Sequence, residues 1–205
     1  MQVNGGQCYT AWSAFGNPNE SRVTKSSIPM DIETLKYPIG KPKIPAKIEP
    51  THIESWIQSI RQFPLLVTKE VIPLTDKELH YKYRPEGWTI QQVVGHCIDS
   101  HMNSITRFKL ALTENNPIIK PYKEAQWATL NDTVDYSIQS STKLLAGIHQ
   151  RWVFLLEQLE TVQFQRTYIH PEGNECISLQ ESLAIYAWHC NHHLQHIINA
   201  KVFKY

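Results

Sequence analysis

The chain has 205 residues with a formal net charge of +1 and 41% hydrophobic residues, which fits one folded domain. It has no basic tract and no apolar run near the roughly 20 residues of a membrane span, so we expect it to bind neither nucleic acid nor a membrane. Its four cysteines form no CxxC pair, which is typical of a reduced, cytoplasmic protein.

Residues 1–29 differ from the rest of the chain. They combine glycines, asparagines and a Ser/Thr-rich run with no hydrophobic periodicity, and they lack the basic start and apolar segment of a secretory signal. We interpret them as a disordered N-terminal extension or as an upstream start assigned in error, with a transit-like leader as the lesser alternative. The domain is expected to comprise residues 30–205.

Residues 31–50 contain four prolines, a density that predicts an extended arm rather than a helix. The first long helix should begin at Thr51, because Thr51 and Glu54 have the spacing of a capping box. Pro64 is expected to kink this helix or to divide it before Val71.

The second long helix is predicted from Thr89 to about Thr113. Thr89 and Gln92 form another capping box, and an Asn-Asn-Pro sequence at 115–117 should stop the helix. An irregular connection then runs to about Thr133, and connections of this length are often functional.

The third long helix is predicted over 136–159. A turn of sequence Pro-Glu-Gly-Asn lies within 164–177 and indicates a short hairpin. The fourth helix should start at the capping pair Ser178 and Glu181 and reach about Phe203. Four long helices, three with capping boxes, predict an all-α four-helix bundle with an extended N-terminal arm and a hairpin-like insertion.

The fourth helix carries the most informative stretch, WHCNHHLQH at 188–196. His189 and His193 are four residues apart, as are His192 and His196, and such pairs stand one turn above each other on a helix. Two imidazoles in this arrangement can bind the same metal ion.

Three of these histidines share their helix face with Ile185 and Ile197, so that face should point into the bundle. A buried ring nitrogen without a partner is costly, and a metal ion would satisfy several at once. The alternatives are a surface histidine cluster and core histidines bonded to the backbone. We favour the metal because the cluster lies on an inward face.

A third ligand must come from another segment, and His96 on the second long helix is the candidate. It belongs to a polar stripe with steps of three or four residues, which a solvated helix face would also produce. His101 is the rival ligand, but on a helix it points about 140° away from His96. The stripe consists of Gln92, His96, Ser100, Asn103 and Arg107.

Other residues are expected to support the site. Asp99 would orient His96 or a ring of the fourth helix by accepting its second N–H, unless it is a surface carboxylate. Tyr186 would line the open side of the site or simply pack in the core. Cys97 and Cys190 are interpreted as small buried residues.

Four segments together resemble the YfiT-like branch of the DinB superfamily, whose members include proteins named as metal-dependent hydrolases and bacillithiol S-transferases. The resemblance covers residues 30–205, apart from Gly95, where relatives often carry a histidine. It implies a four-helix bundle, usually a homodimer, with one zinc or nickel ion held by His96, His189 and His193. The segments are YPIG at 37–40, YRPEGWT at 83–89, DSHMN at 99–103 followed by RFK at 107–109, and the histidine block at 188–196.

Three neutral imidazoles and an open position are typical of a catalytic site. Such a site can lower the pKa of a bound water to about 7, which gives a hydrolase. It can equally hold a thiol as thiolate, which gives an S-transferase. The fourth helix has no acid after Glu181, so a water nucleophile would need a base from elsewhere, for example Asp99.

We therefore predict an enzyme that activates a low-molecular-weight thiol for attack on a small electrophile. In this hypothesis Arg107 meets a carboxylate of the thiol, although it is also readable as a surface residue. The first alternative is a metal-dependent hydrolase acting on a small amide or ester. The second alternative is a metal-binding bundle without catalytic activity.

Overall fold

The computed structural model describes residues 31–205, so the interpretation of residues 1–29 lies outside the described residues. Within the described range, no helix is both long and apolar enough to cross a bilayer. The elements in chain order are α1 (Ile32–Lys36), α2 (Pro50–Val71), α3 (Asp76–Leu79), α4 (Ile90–Thr113), α5 (Glu124–Trp127), α6 (Asn131–Val134), α7 (Ile138–Glu157), a 3₁₀ turn (Gln163–Gln165), β1 (Thr167–His170), β2 (Glu175–Ser178) and α8 (Leu179–Phe203).

The four long helices α2, α4, α7 and α8 form the predicted bundle. Helix α2 packs mainly against α7 and α8, and α4 packs against the same two helices. Helices α2 and α4 are therefore diagonal to each other although they follow one another along the chain. This order places α4 beside α8, which is the contact that the candidate site requires. Trp152, Phe63 and Phe108 are the largest fully buried side chains of the core.

Helix α2 begins one residue earlier than predicted and is not divided. Its N-cap is Glu49, whose backbone N–H donates to His52 Nδ1 at 3.0 Å, so the capping box predicted at Thr51 is wrong. Pro50 stands at the first helical position, where the missing N–H costs nothing. The helix continues through Pro64, which is buried, to Val71.

The N-terminal arm is not wholly extended. Ile32–Lys36 forms the short helix α1, because the prolines begin only at residue 38 and leave the preceding turn unrestricted. Leu35 of α1 is 2% exposed and attaches the arm to the domain. After the arm turns, Trp188 Nε1 of α8 donates to the Gly40 carbonyl at 3.0 Å.

The capping boxes predicted for α4 and α8 are confirmed. Thr89 Oγ1 accepts the Gln92 N–H at 3.1 Å, and the Ser178 N–H donates to Glu181 Oε2 at 2.9 Å. The predicted hairpin is the antiparallel pair β1–β2, and its turn contains Gly173 at φ +101°. The connection between α4 and α7 is less irregular than expected, since it contains α5 and α6.

Helix α6 packs against α4 at Gly95, where the resemblance led us to note a departure from relatives. A Cβ added at Gly95 would lie 2.5 Å from Thr133 Cγ2 and 3.1 Å from Thr133 Cβ. Thr133 is itself buried, so any side chain at residue 95 would have to push α6 away. The glycine is therefore a requirement of this close helix approach.

Replacing Gly95 with alanine is expected to destabilise the fold, by about 1–3 kcal/mol, because overpacking outweighs the gain in helix propensity. The matched control is Gly147→Ala in α7, where an added Cβ meets nothing within 4 Å. That variant should instead gain about 0.5–1 kcal/mol. Urea unfolding of both variants measures the difference, and equal stabilisation by both would contradict the packing argument.

Candidate metal centre

Three histidines from two helices converge inside the bundle. His96 of α4 and His189 of α8 place their Nε2 atoms 3.2 Å apart. The His193 ring lies 4.8 Å from the His96 ring and 4.3 Å from the His189 ring, measured between centroids. One nitrogen of each ring lies within 4.8 Å of the other two. A tetrahedral zinc ion with bonds of about 2.0–2.1 Å holds its ligand atoms roughly 3.3–3.4 Å apart. The 3.2 Å between His96 Nε2 and His189 Nε2 is close to this value, so the three rings form a candidate group for one ion.

The surroundings of the three rings favour their uncharged form. His96 and His193 are buried, whereas His189 is half-buried. Burial lowers the pKa of His96 to about 4, and burial together with neighbouring histidines lowers the pKa of His189 and His193 well below the ordinary value. All three rings are thus uncharged at neutral pH, which is the state that a metal ion requires of an imidazole.

Aromatic rings enclose this histidine group. The Trp88 ring lies 4.7 Å from the His96 ring, and Tyr83 stacks on His196 at 3.8 Å with 15° between the planes. In the sequence analysis Trp88 and Tyr83 appeared only as part of a motif of the family resemblance. The two histidines that they contact, His96 and His196, are both buried, and electrostatic interactions are stronger in such an environment than in water.

A second row of imidazoles lies behind the first. His101 Nε2 is 3.1 Å from His189 Nδ1, and His101 Nδ1 is 2.7 Å from His149 Nε2. His101, the rival ligand, therefore contacts a proposed ligand instead of replacing one. The sequence gives no sign of a role for His149, because it has no partner at helical spacing. Only the packing of α7 against α4 brings it to His101.

Asp99 does not make the contact predicted for it. Its carboxylate has no hydrogen bond to any of the three converging rings, and the Nδ1 atom of His189 contacts His101 Nε2 instead. Asp99 is half-buried and lines a cavity on the side of α4 that faces Asp132 and Tyr136. Burial and the nearby Asp132 raise its pKa to about 6.

Tyr186 and Arg107 lie close together, as a shared site would require. The Tyr186 hydroxyl accepts from Arg107 Nη1 at 3.4 Å and donates to the Ser100 carbonyl at 3.4 Å, and its ring lies 5.7 Å from the His189 ring. Arg107 also lines a cavity of about 340 Å³. The other residues of this cavity are Pro121, Tyr122, Glu124, His170 and Glu172.

Two residues that line this cavity have buried hydrogen-bonding atoms without a partner in the described part of the chain. Arg107 Nε and the Tyr122 hydroxyl are buried and have no partner there. Glu124 adds a carboxyl whose pKa is raised, chiefly by burial, although the nearby Arg107 opposes the shift. Sequence reasoning missed Tyr122 and Glu124, although the unusual length of the α4–α7 connection had indicated a functional segment.

The buried cysteines are unsuited to metal binding or nucleophilic attack. Cys97 and Cys190 are fully buried, and burial raises the pKa of both thiols. A thiol must lose its proton to act as a ligand or nucleophile. The interpretation of both residues as small core residues agrees with this environment.

Fold and site thus define a helical bundle with a histidine-lined candidate metal centre, and comparisons identify its relatives. The DinB superfamily profile matches residues 66–197. A Bacillus cereus protein named "Putative metal-dependent hydrolase" is 46% identical over 167 residues, covering 82% of this chain and 95% of its own length. A Halalkalibacterium halodurans protein of the same description is 41% identical and covers 82% and 96%.

Among solved structures, YfiT from Bacillus subtilis matches with a TM-score of 0.80 and 41% identity, covering 83% of this chain and 97% of its own. It is described as a "probable metal-dependent hydrolase with an unusual four-helix bundle topology". The chain belongs to the DinB superfamily. The resemblance inferred from the sequence motifs is confirmed.

The stability of the metal-free protein is expected to fall as the pH drops from about 6.5 to about 4. His149 is 1% exposed, and burial lowers its pKa to about 4. The unfolded chain takes up this proton near pH 6.5 and the native state does not, so the unfolded state binds more protons across this interval. The stabilisation is complete above pH 6.5, and one such ring accounts for a loss of roughly 3 kcal/mol by pH 4.

Urea unfolding at several pH values measures this loss. His149→Gln should make the decline with falling pH shallower by the contribution of one ring. The exposed His80 offers a control, since His80→Gln should keep the wild-type decline. A wild-type protein whose stability stays constant or rises from pH 6.5 to 4 would contradict the prediction.

Proposed function

We propose that this chain is a metal-dependent enzyme in which His96, His189 and His193 hold one zinc or nickel ion. The observation that carries the proposal is the convergence of three uncharged imidazole nitrogens within 4.8 Å of one another. The names of the relatives support metal dependence. All-nitrogen ligation suits zinc and nickel alike.

The reaction we favour is transfer to a low-molecular-weight thiol of the bacillithiol type, which attacks a small electrophile. An ion held by three neutral ligands supplies Lewis acidity that lowers the pKa of a thiol or a water. Among the described residues, the group of convergent ligand atoms contains no carboxylate, and Asp99 faces another cavity. A thiolate needs no further base once formed, whereas water does.

The Arg107 cavity is the proposed binding site for the rest of the thiol. Arg107 and Tyr122 provide buried donors for a substrate carboxylate, and Glu124 and Glu172 provide acceptors for an amine. Tyr186 connects this cavity with the metal centre, since it contacts Arg107 and lies beside His189. Substrate bound here would extend from the cavity toward the open side of the site.

Hydrolysis of a small amide or ester is the second candidate, because the relatives are named hydrolases. In that case Asp99 is the candidate general base, because its pKa is raised to about 6 and a general base works best when its pKa is near the operating pH. Its carboxylate would have to act through a bridging water, since it makes no bond to the three rings. A metal-binding bundle without activity is the remaining alternative.

Two further features are proposed, the first from the family resemblance and the second from the cysteines. One is a homodimer, for which exposed Leu65 and Phe154 on a groove between α2 and α7 offer apolar surface. The other is a cytoplasmic location, with which the free thiols of Cys97, Cys176 and Cys190 are compatible.

His96→Ala is expected to abolish stoichiometric metal binding, because two ligands on one helix remain without their partner from α4. The protein is purified, incubated with zinc or nickel, dialysed and subjected to elemental analysis. The exposed His80→Ala serves as control and should retain the wild-type metal content. Full occupancy in His96→Ala would exclude this residue as a ligand.

The metal-loaded enzyme is expected to couple bacillithiol to a fluorogenic electrophile and to lose this activity when a chelator removes the metal. Arg107→Met should raise KM for the thiol by about 10–100-fold with a smaller change in kcat, because it removes a charged contact in binding. Exposed Arg151→Met is the control variant.

A parallel assay with small esters and amides decides between the candidates. If the protein cleaves an ester or amide, loses this activity on addition of a chelator and turns over no thiol, the proposed S-transferase function is wrong and hydrolysis takes its place. Metal binding without either activity would leave the non-catalytic bundle.

A further inference from the structure

We propose that two backbone carbonyls, those of Ile60 and Lys36, fix the tautomers of His189 and His193 through chains of buried imidazoles. Both rings would then present an unprotonated Nε2 toward the site. This inference rests on the proposed metal centre, to which it adds His101, His149 and His196 as positioning residues.

The first chain starts at a helix carbonyl that has no helical partner. In an α-helix the carbonyl of residue 60 accepts the N–H of residue 64, but residue 64 is a proline and has none. His149 Nδ1 lies 2.6 Å from the Ile60 oxygen. A carbonyl only accepts hydrogen bonds, so Nδ1 of His149 must carry the proton.

The remaining protons of this chain follow in order. An uncharged imidazole has a single N–H, so His149 Nε2 is an acceptor and His101 Nδ1 must donate to it across 2.7 Å. His101 Nε2 is then the acceptor, and His189 Nδ1 donates to it across 3.1 Å. His189 is left with a lone pair on Nε2, the atom that lies 3.2 Å from His96 Nε2.

The second chain starts at the end of α1. Lys36 is the last residue of that helix, and its carbonyl is among those that a helix C-terminus leaves unpaired. His196 Nε2 lies 3.1 Å from the Lys36 oxygen and must donate to it. His196 Nδ1 is therefore an acceptor for His193 Nδ1 at 3.3 Å, which leaves the Nε2 of His193 unprotonated.

These chains decide what the other histidine groups do. His101, His149 and Cys190 lie close enough to hold an ion, as do His192, His193 and His196. However, both ring nitrogens of His101, His149 and His196 already take part in hydrogen bonds. They have no free lone pair for a second ion, and their effect is to orient the rings of the first site.

Pro64 gains a specific role from this arrangement. A proline inside a helix is unfavourable by roughly 3 kcal/mol, yet α2 contains one in a buried position. The residue removes the N–H that would otherwise compete with His149 for the Ile60 carbonyl. It thereby acts on the metal centre through three successive imidazoles.

The first test is the tautomeric state of each ring in the metal-free protein, measured by long-range proton–nitrogen NMR with ¹⁵N-labelled histidine. We expect the proton on Nδ1 of His101, His149, His189 and His193, and on Nε2 of His196. Protons on Nε2 of both His189 and His193 would overturn the proposal. This readout requires neither metal nor substrate.

The second test compares variants that break or keep the chains. His101→Leu and His196→Leu should each weaken zinc binding by about 10–100-fold in competition with a chromophoric chelator. His101→Gln and His196→Gln should lie much closer to wild type, because an amide offers one acceptor and one donor in place of the two ring nitrogens. Leucine variants that bind zinc as tightly as wild type would overturn the proposal.

Pro64→Ala provides a variant that is expected to fold, since alanine suits a helix interior. The restored N–H should compete for the Ile60 carbonyl, so the Nε2–H tautomer of His189 should become detectable and zinc affinity should fall several-fold. Pro50→Ala at the start of α2 is the control and should leave both unchanged. Unaltered tautomers in Pro64→Ala would contradict the first chain.

Failure of the metal centre itself is recognised separately. If His96→Ala binds as much zinc as wild type, the proposed ligand set is wrong. If His96→Ala loses the metal but the leucine variants do not, the ligand set stands and only the positioning chains are refuted.

Discussion

The structure of this domain depends on the need of buried imidazole nitrogens for partners. The histidines of the candidate site and of the row behind it lie in the interior between α4, α7 and α8, where an unpaired polar atom is costly. Each of these rings therefore contacts another imidazole or a backbone carbonyl, or lies at the point where His96, His189 and His193 converge. Burial also keeps the rings uncharged, because it lowers their pKa values. The same constraint organises the core and prepares the proposed metal centre.

The order of the helices makes this interior possible. Consecutive helices α2 and α4 stand diagonally, so α4 packs beside α8. His96 of α4 thereby contacts His189 of α8. Helix α7, which packs against α4 as well, contributes His149. The arm before α2 also belongs to the site, since the carbonyl of Lys36 contacts His196. A simple up-and-down bundle would place chain neighbours side by side and would lose this arrangement.

The proposed chemistry depends on the residues around the three rings as much as on the rings themselves. The relatives are named as metal-dependent hydrolases, whereas the site of this chain shows no carboxylate among the convergent ligand atoms of the described residues. On this basis we propose a nucleophile that needs no separate base. Among the residues that line the Arg107 cavity, Arg107 Nε and the Tyr122 hydroxyl have no partner in the described part of the chain, and we propose that this cavity binds the charged part of a thiol.

The sequence by itself determined the local features. The capping pairs at Thr89 and Ser178 fixed where α4 and α8 begin, because a cap and its helix are neighbours in the chain. The four-residue spacing of His189 and His193 placed both rings on one face for the same reason. The family motifs also indicated the bundle and the third ring, His96.

Only the tertiary structure decided the contacts between distant segments. The partner of His189 is His101 rather than Asp99, and His149 joins through α7, because helix packing and not spacing sets these distances. The sequence also predicted that Pro64 would kink or divide α2, and the helix is not divided. In the folded protein the Ile60 carbonyl, which Pro64 leaves without a helical partner, contacts the His149 side chain 89 positions away along the chain. A residue that local rules associate with a helix break therefore supports a contact between two helices of the core.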